Sequence, residues 1–123
     1  MSATKSKTEK YFEAVGRRKT SVARVRLMQT GDGITVNGKD YKKYFPTLEM
    51  QQIVEGAFRK TGFEARFSVS AKLSGWGIHS QSEALRHGIA RALTVFDATL
   101  RTQLKPVGYL KRDPRVKERR KFG

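Results

Sequence analysis

The chain has 123 residues, with 26 Lys and Arg against 11 Asp and Glu and a formal net charge of +15. That length suits one compact domain, and a charge of that size repels itself unless a polyanion neutralises it, nucleic acid being the commonest. With no cysteine and 2 histidines, disulfides, thiolate metal sites and the usual structural zinc site are excluded.

No apolar run approaches the roughly 20 residues of a membrane span. Neither a terminal basic amphipathic helix nor a lipidation signal is present, so a membrane partner is not expected. Met1 to Lys10 has no signal-peptide apolar stretch, and the expected location is cytoplasmic. The charge is uneven: residues 1–26 carry 8 Lys and Arg against 2 acids, and residues 111–123 carry 7 against 2. The 84 residues between carry 11 against 7. This is the pattern of a folded domain with basic extensions. Three segments are expected: a flexible start at 1–10, a globular RNA-binding domain at 11–106, and a basic extension at 107–123.

Tyr11 to Met28 reads as extended. Within it Ala23, Val25 and Leu27 alternate with Arg24 and Arg26, which predicts a strand with one dry side and one wet side. Gly16 ahead of Arg17, Arg18 and Lys19 permits a bend or bulge. Gln29 to Gly33 is a turn, Ile34 to Val36 a short strand, and Asn37-Gly38 the strongest hairpin signal in the chain. Tyr41 to Phe45 is a short helical or irregular piece. Thr47 caps a helix with a stripe of Leu48, Met50, Ile53, Val54, Ala57 and Phe58, and Gly62 stops it. Phe67, Val69, Ala71 and Leu73 alternate with Arg66, Ser68, Ser70 and Lys72 as a third amphipathic strand.

Gly75-Trp76-Gly77 forms a glycine-flanked loop. In the helix that follows, Ser80 and Glu83 read as a capping box. Leu85, Ile89, Ala92, Leu93 and Phe96 form its apolar stripe, with Glu83, Arg86, His87, Ala90 and Arg91 on the opposite half. Asp97 to Leu104 is a further short helix. Lys111 onward is too polar to fold alone. The expected fold is α+β, two-layer: a small β-sheet with helices on one face and charged strand side chains on the other.

No catalytic site, metal site or cofactor is expected. The loop lacks the remainder of a P-loop, and no dinucleotide fingerprint is present. It could instead offer helix N-terminal amides to an RNA phosphate, or be a tight turn. His79 and His87 are eight residues apart, roughly 12 Å along a helix, too far to flank one phosphodiester. The acids are scattered. Phe12, Phe45, Phe58, Phe67 and Phe96 fit core stripes, whereas Tyr11, Trp76, Tyr109 and Phe122 lie near basic segments where they could pack or stack on bases.

Several blocks together resemble one family. Gly16-Arg-Arg-Lys-Thr-Ser-Val-Ala-Arg-Val-Arg26 looks like the opening signature of the universal ninth protein of the small ribosomal subunit, in its bacterial form. Ile34-Thr-Val-Asn-Gly38 with Tyr44-Phe45 matches its second strand. Gly75 to Leu93, with Arg86-His-Gly-Ile-Ala-Arg-Ala-Leu93, matches its glycine loop and main helix, and Arg112 to Gly123 its basic run. Trp76 and His79-Ser80 depart from the mainly glycine and serine positions of many members.

The resemblance implies a fold like the second domain of ribosomal protein five of the same subunit, with a left-handed β-α-β crossover and a basic tail. It implies a structural role in the subunit head, with small-subunit rRNA and neighbouring head proteins as partners and no small-molecule substrate. The tail would run toward the P-site tRNA. The family's closing Ser-Lys-Arg stretch follows the position of Gly123, so that contact falls on no residue here. Candidate RNA contacts are Arg17, Arg18, Lys19, Thr20, Arg24, Arg26, Gly75, Gly77, Gln81, Arg86, His87 and Arg91. In the tail they are Lys111, Arg112, Arg115, Lys117, Arg119, Arg120 and Lys121. The alternative is an RNA-processing enzyme or RNA chaperone on a related fold.

Overall fold

Two strands open the fold, Tyr11–Arg18 (β1) and Ser21–Met28 (β2), paired antiparallel with Arg18 opposite Ser21. The computed structural model that shows them describes residues 11–29, 33–63 and 66–110. The expected bend at Gly16 is not where the chain turns. It reverses at Lys19-Thr20, with Lys19 in the left-handed region at φ 56°. Lysine rarely marks such a position, which hid the hairpin. Gly16 lies inside β1 for another reason. A Cβ there would fall 2.1 Å from the Ala84 carbonyl oxygen and 2.2 Å from the Gly88 nitrogen, so only glycine lets this strand touch a helix backbone.

Gly33–Val36 (β3) and Lys39–Asp40 (β4) pair through the Asn37-Gly38 turn, whose φ values of 50° and 83° fit a type I′ hairpin. Most of the expected turn before β3 lies outside the described residues. Asp40 accepts from the Lys42 amide at 3.1 Å to start a one-turn helix, Tyr41–Tyr44 (α1). Burial, and then the neighbouring Glu55 carboxylate, push the Tyr41 phenol above its ordinary range.

Leu48–Thr61 (α2) begins as expected, with Thr47 Oγ1 accepting from the Met50 amide at 3.2 Å, and ends on Gly62 at φ 77°. Val54, Ala57 and Phe58 are buried. Leu48, expected on the stripe, is 66% exposed, since it is the first residue of the helix and lies ahead of the turns that meet the core.

Ser68–Ser74 (β5) runs antiparallel to β2 and parallel to β3, giving the mixed order β1-β2-β5-β3-β4. The alternation read from the sequence holds: Phe67, Val69, Ala71 and Leu73 are buried while Arg66, Ser70 and Lys72 are exposed. Ile78–Phe96 (α3) is the main helix, followed by a 3-10 turn at Ala98–Leu100 and a short helix, Arg101–Leu104 (α4). Thr99's hydroxyl and amide both donate to Asp97, capping this turn and holding its carboxyl below the usual range.

The architecture is the expected two-layer α+β arrangement. Ala23, Val25, Leu27, Ile34 and Val36 from the sheet meet Val54, Ala57, Leu85, Ile89 and Leu93 from the helices. Phe12, Phe63 and Phe67 all meet Phe96 edge-on, at centroid distances of 5.4, 5.9 and 5.1 Å, a geometry aromatic pairs favour.

Two readings of α3 need correction. Ser80 and Glu83 form no capping box. The helix starts at Ile78 with Gly77 at the cap, Ser80 is already in its first turn, and Glu83 takes the Arg18 guanidinium. His87 and Ala90, assigned to the open half, are buried at 8% and 0% exposure, because that side of α3 packs on β1.

Replacing Gly16 with Ala is expected to destabilise the fold by at least about 3 kcal/mol, beyond ordinary overpacking, because both clashing groups are backbone. Gly88→Ala is expected to cost less, since its Cβ would meet a side-chain methyl, Val25 Cγ2, at 2.6 Å. Urea denaturation of the two variants gives the order.

Candidate nucleic-acid interface

Three loops meet at one end of the sheet: the β1–β2 turn, the Asn37-Gly38 turn, and the glycine loop between β5 and α3. Side chains tie them together. Asn37 Oδ1 accepts from the Leu73 amide at 2.8 Å and its Nδ2 donates to the Leu73 carbonyl at 3.1 Å. Its amide thus continues the sheet where the β3 backbone turns away. Gln81 Nε2 donates to the Gly75 carbonyl at 2.9 Å, while its Oε1 accepts from the Tyr44 hydroxyl at 2.6 Å. Ser21 Oγ donates to the Trp76 carbonyl at 3.0 Å. Gly75, at φ 106°, has no room for a Cβ, which would lie 2.5 Å from Ser21 Cα.

The cations at this end differ in their duties. Arg18 points to the helix side and pairs with Glu83, both partly buried. Arg17 is exposed and Lys19 half-buried, and neither has an acidic partner among the described residues. Thr20 sits beside Lys19 in the turn, with its carbonyl against Gly75. Gly77 leads into α3 without any side-chain cap, leaving the first amides of that helix for another acceptor. Gln81, a candidate contact, is buried at 9% exposure and works on the loop from beneath.

The open sheet face continues the basic surface. Arg24, Arg26 and Lys72 line a shallow depression of about 130 Å³ with Glu13 and Ser70. Arg26 is shared between Glu13, at 3.4 Å, and the face of Tyr11, at 4.8 Å. Arg24 stands directly across from Lys72 in the β2–β5 register. Like charges opposed in this way are unfavourable without an anion between them. Lys72 was absent from the sequence candidates. Its alternation was legible, but its pairing opposite Arg24 was not.

The basic side chains of α3 do other work. His87 Nδ1 accepts from the Arg17 amide at 3.0 Å, so the ring hydrogen sits on Nε2, 3.3 Å from the Leu110 carbonyl. Arg91 donates to the Val15 carbonyl at 2.7 Å while remaining exposed. Arg86 stacks its guanidinium on Tyr109 at 4.4 Å. Adjacent residues Arg86 and His87 thus hold Tyr109 and Leu110, from which the basic run departs. The tail candidates Lys111, Arg112, Arg115, Lys117, Arg119, Arg120 and Lys121, and Phe122, lie outside the described residues.

The two histidines have different surroundings. His79 lies on the surface 3.7 Å from Glu49, and His87 is engaged by backbone on both sides. Among the described residues no cluster of acids and histidines could hold a metal ion, and no helix is long and apolar enough to cross a membrane.

A two-layer α+β sheet protein whose loops and open face carry cations without acidic partners among the described residues belongs to the class of basic α+β proteins. Comparison with known proteins gives the family. The family model for ribosomal protein S9/S16 matches residues 16–123, and the chain belongs to that family, a structural and non-enzymatic component of the ribosome. It is 42% identical over 116 residues to small ribosomal subunit protein uS9 of Desulfovibrio desulfuricans, covering 94% of this chain and 89% of the relative. Its identity to the Maridesulfovibrio salexigens protein of the same name is 46% over 110 residues, covering 89% and 85%. With the Lawsonia intracellularis protein, also of that name, identity is 44% over the same length and coverage. The RNA-processing enzyme considered from the sequence is thereby set aside.

Arg86→Ala or His87→Ala should loosen the segment before the tail. The Tyr109 amide, bonded to the Leu104 carbonyl at 3.3 Å, is expected to lose hydrogen-exchange protection at least several-fold in each variant, while β2 and β5 amides keep theirs.

Proposed function

We propose that this chain is a structural constituent of the small ribosomal subunit that binds small-subunit rRNA through one end and the open face of its sheet. The observation that carries this is the pairing pattern of its cations. Arg17, Lys19, Arg24 and Lys72 have no acidic partner among the described residues, and Arg24 and Lys72 are opposed across two strands. Such a surface relaxes when phosphates lie against it.

The finer reading follows the family. The protein sits in the head of the subunit, beside other head proteins, in the cytoplasm. The crossover from β3 through α2 to β5 is left-handed, as in the second domain of ribosomal protein five. The 111–121 run extends along rRNA toward the P-site tRNA. Most contacts fix position and do not read bases. Gly75 and Gly77 bring main chain close to a phosphate, and Arg17, Lys19, Arg24, Arg26 and Lys72 neutralise others. Gln81, Arg86 and His87 support these contacts from within, Arg86 and His87 by holding Tyr109 and Leu110.

Titration of a small-subunit rRNA transcript with the full chain at increasing salt tests this. The logarithm of affinity should fall linearly with the logarithm of salt concentration. Arg17→Ala and Lys19→Ala should each reduce the slope by about one, while Gln81→Ala should leave it unchanged. A flat salt dependence in the wild type would exclude the phosphate-neutralising surface. Deleting 111–123 should leave the domain folded by circular dichroism and weaken binding.

A further inference from the structure

We propose that Trp76 is a stacking platform for one unpaired base of ribosomal RNA. The proposal rests on the rRNA-binding reading above and adds to it a residue and a ligand chemistry. Trp76 is the single tryptophan of the chain, and it is 85% exposed. Isolated exposed apolar residues are ordinary, so exposure alone would mean little. The difference lies in how the side chain is presented.

The backbone around Trp76 is held. The preceding carbonyl, of Gly75, takes a hydrogen bond from Gln81, and Trp76's own carbonyl takes one from Ser21. Gln81 is itself fixed by Tyr44. Gly75 and Gly77 have left-handed φ values of 106° and 85°, which carry the chain outward at Trp76 and back into α3. The fold therefore holds from both sides a loop whose one large side chain faces water. A side chain whose backbone is already ordered loses less entropy on binding.

The other aromatic candidates are taken. Arg26 covers the face of Tyr11 at 4.8 Å, and Arg86 covers Tyr109 at 4.4 Å. Among the described residues no ring or cation lies over Trp76. The neighbouring charge selects the partner. The Ser21 that anchors Trp76 directly follows the hairpin turn, where Arg17 and Lys19 lack acidic partners. An indole at the loop end that also carries these cations matches a nucleotide, with its apolar flat base and its phosphate. Lys19 at this turn argues against a protein interface core, where lysine is depleted. A base inside a duplex has both faces covered, so the base must be unpaired.

Being the only indole, Trp76 reports on itself. The full chain would be titrated with an end-labelled transcript of the rRNA domain that forms the subunit head, following label anisotropy and tryptophan fluorescence together. Stacking is expected to quench the indole emission in step with binding. Trp76→Ala and Trp76→Leu should each weaken binding on the order of 10-fold, and Trp76→Phe much less, because leucine keeps the apolar area without the flat π face. The salt slope should be the same in all three variants, since no phosphate contact is lost. Binding with unchanged emission and no loss in Trp76→Leu would overturn the proposal while leaving rRNA binding intact. A blue shift on adding other head proteins, without quenching by RNA, would overturn it in favour of a protein partner. Absence of any anisotropy change would sink the rRNA reading and this proposal together.

Discussion

The contact on which the remaining structure depends is the approach of β1 to α3 at Gly16, Ala84 and Gly88. Two backbones meet there with no side chain between them. That closeness brings α3 over the first strand, so that His87 and Arg91 reach the Arg17 amide and the Val15 carbonyl. It also brings Glu83 to Arg18. Pushed apart by even a methyl group, the helix could keep few of these bonds, because hydrogen bonds weaken steeply with distance. The hairpin tip owes its position to the same contact. Arg17 is exposed there, while Arg18 beside it is drawn to Glu83.

One run of cations is thereby divided between two tasks. Arg18 satisfies an acid of the fold, and Arg91 satisfies a carbonyl. Arg86 packs as a flat surface under Tyr109. Arg17, Lys19, Arg24 and Lys72 are left for an outside anion. Among the described residues, part of the positive charge is satisfied within the fold, and cations without an acidic partner stand on the loop end and the open sheet face. The supports beneath the loops are neutral amides, Asn37 and Gln81, which bind backbone without adding to the repulsion.

Much of this was legible in the sequence. Period-two alternation identified the inward faces of β2 and β5, because burial on one side imposes it directly. Asn37-Gly38, Thr47 and Gly62 marked their turn, cap and stop, since each backbone geometry has a residue that suits it. The β1–β2 reversal was not legible, because its left-handed residue is a lysine and the glycine nearby serves a packing contact. The false capping box arose in a similar way. Ser80 and Glu83 have the correct spacing, but the helix begins earlier and Glu83 is claimed by a residue 65 positions away. His87 and Ala90 looked solvent-facing because a two-sided helix cannot be recognised until the strand on its second side is known. The blocks that resemble the ribosomal family indicated the role, but which of their cations are internal was a matter of long-range geometry.

The bonds from His87 and Arg91 to β1 have one more consequence. They occupy outward-facing groups of an outermost strand, and the strand at the other margin, β4, is only two residues long. Both features shorten the row of free amides and carbonyls that a strand from another molecule could join. They act against ribbon-like self-association by geometry, in addition to the repulsion between strongly charged copies.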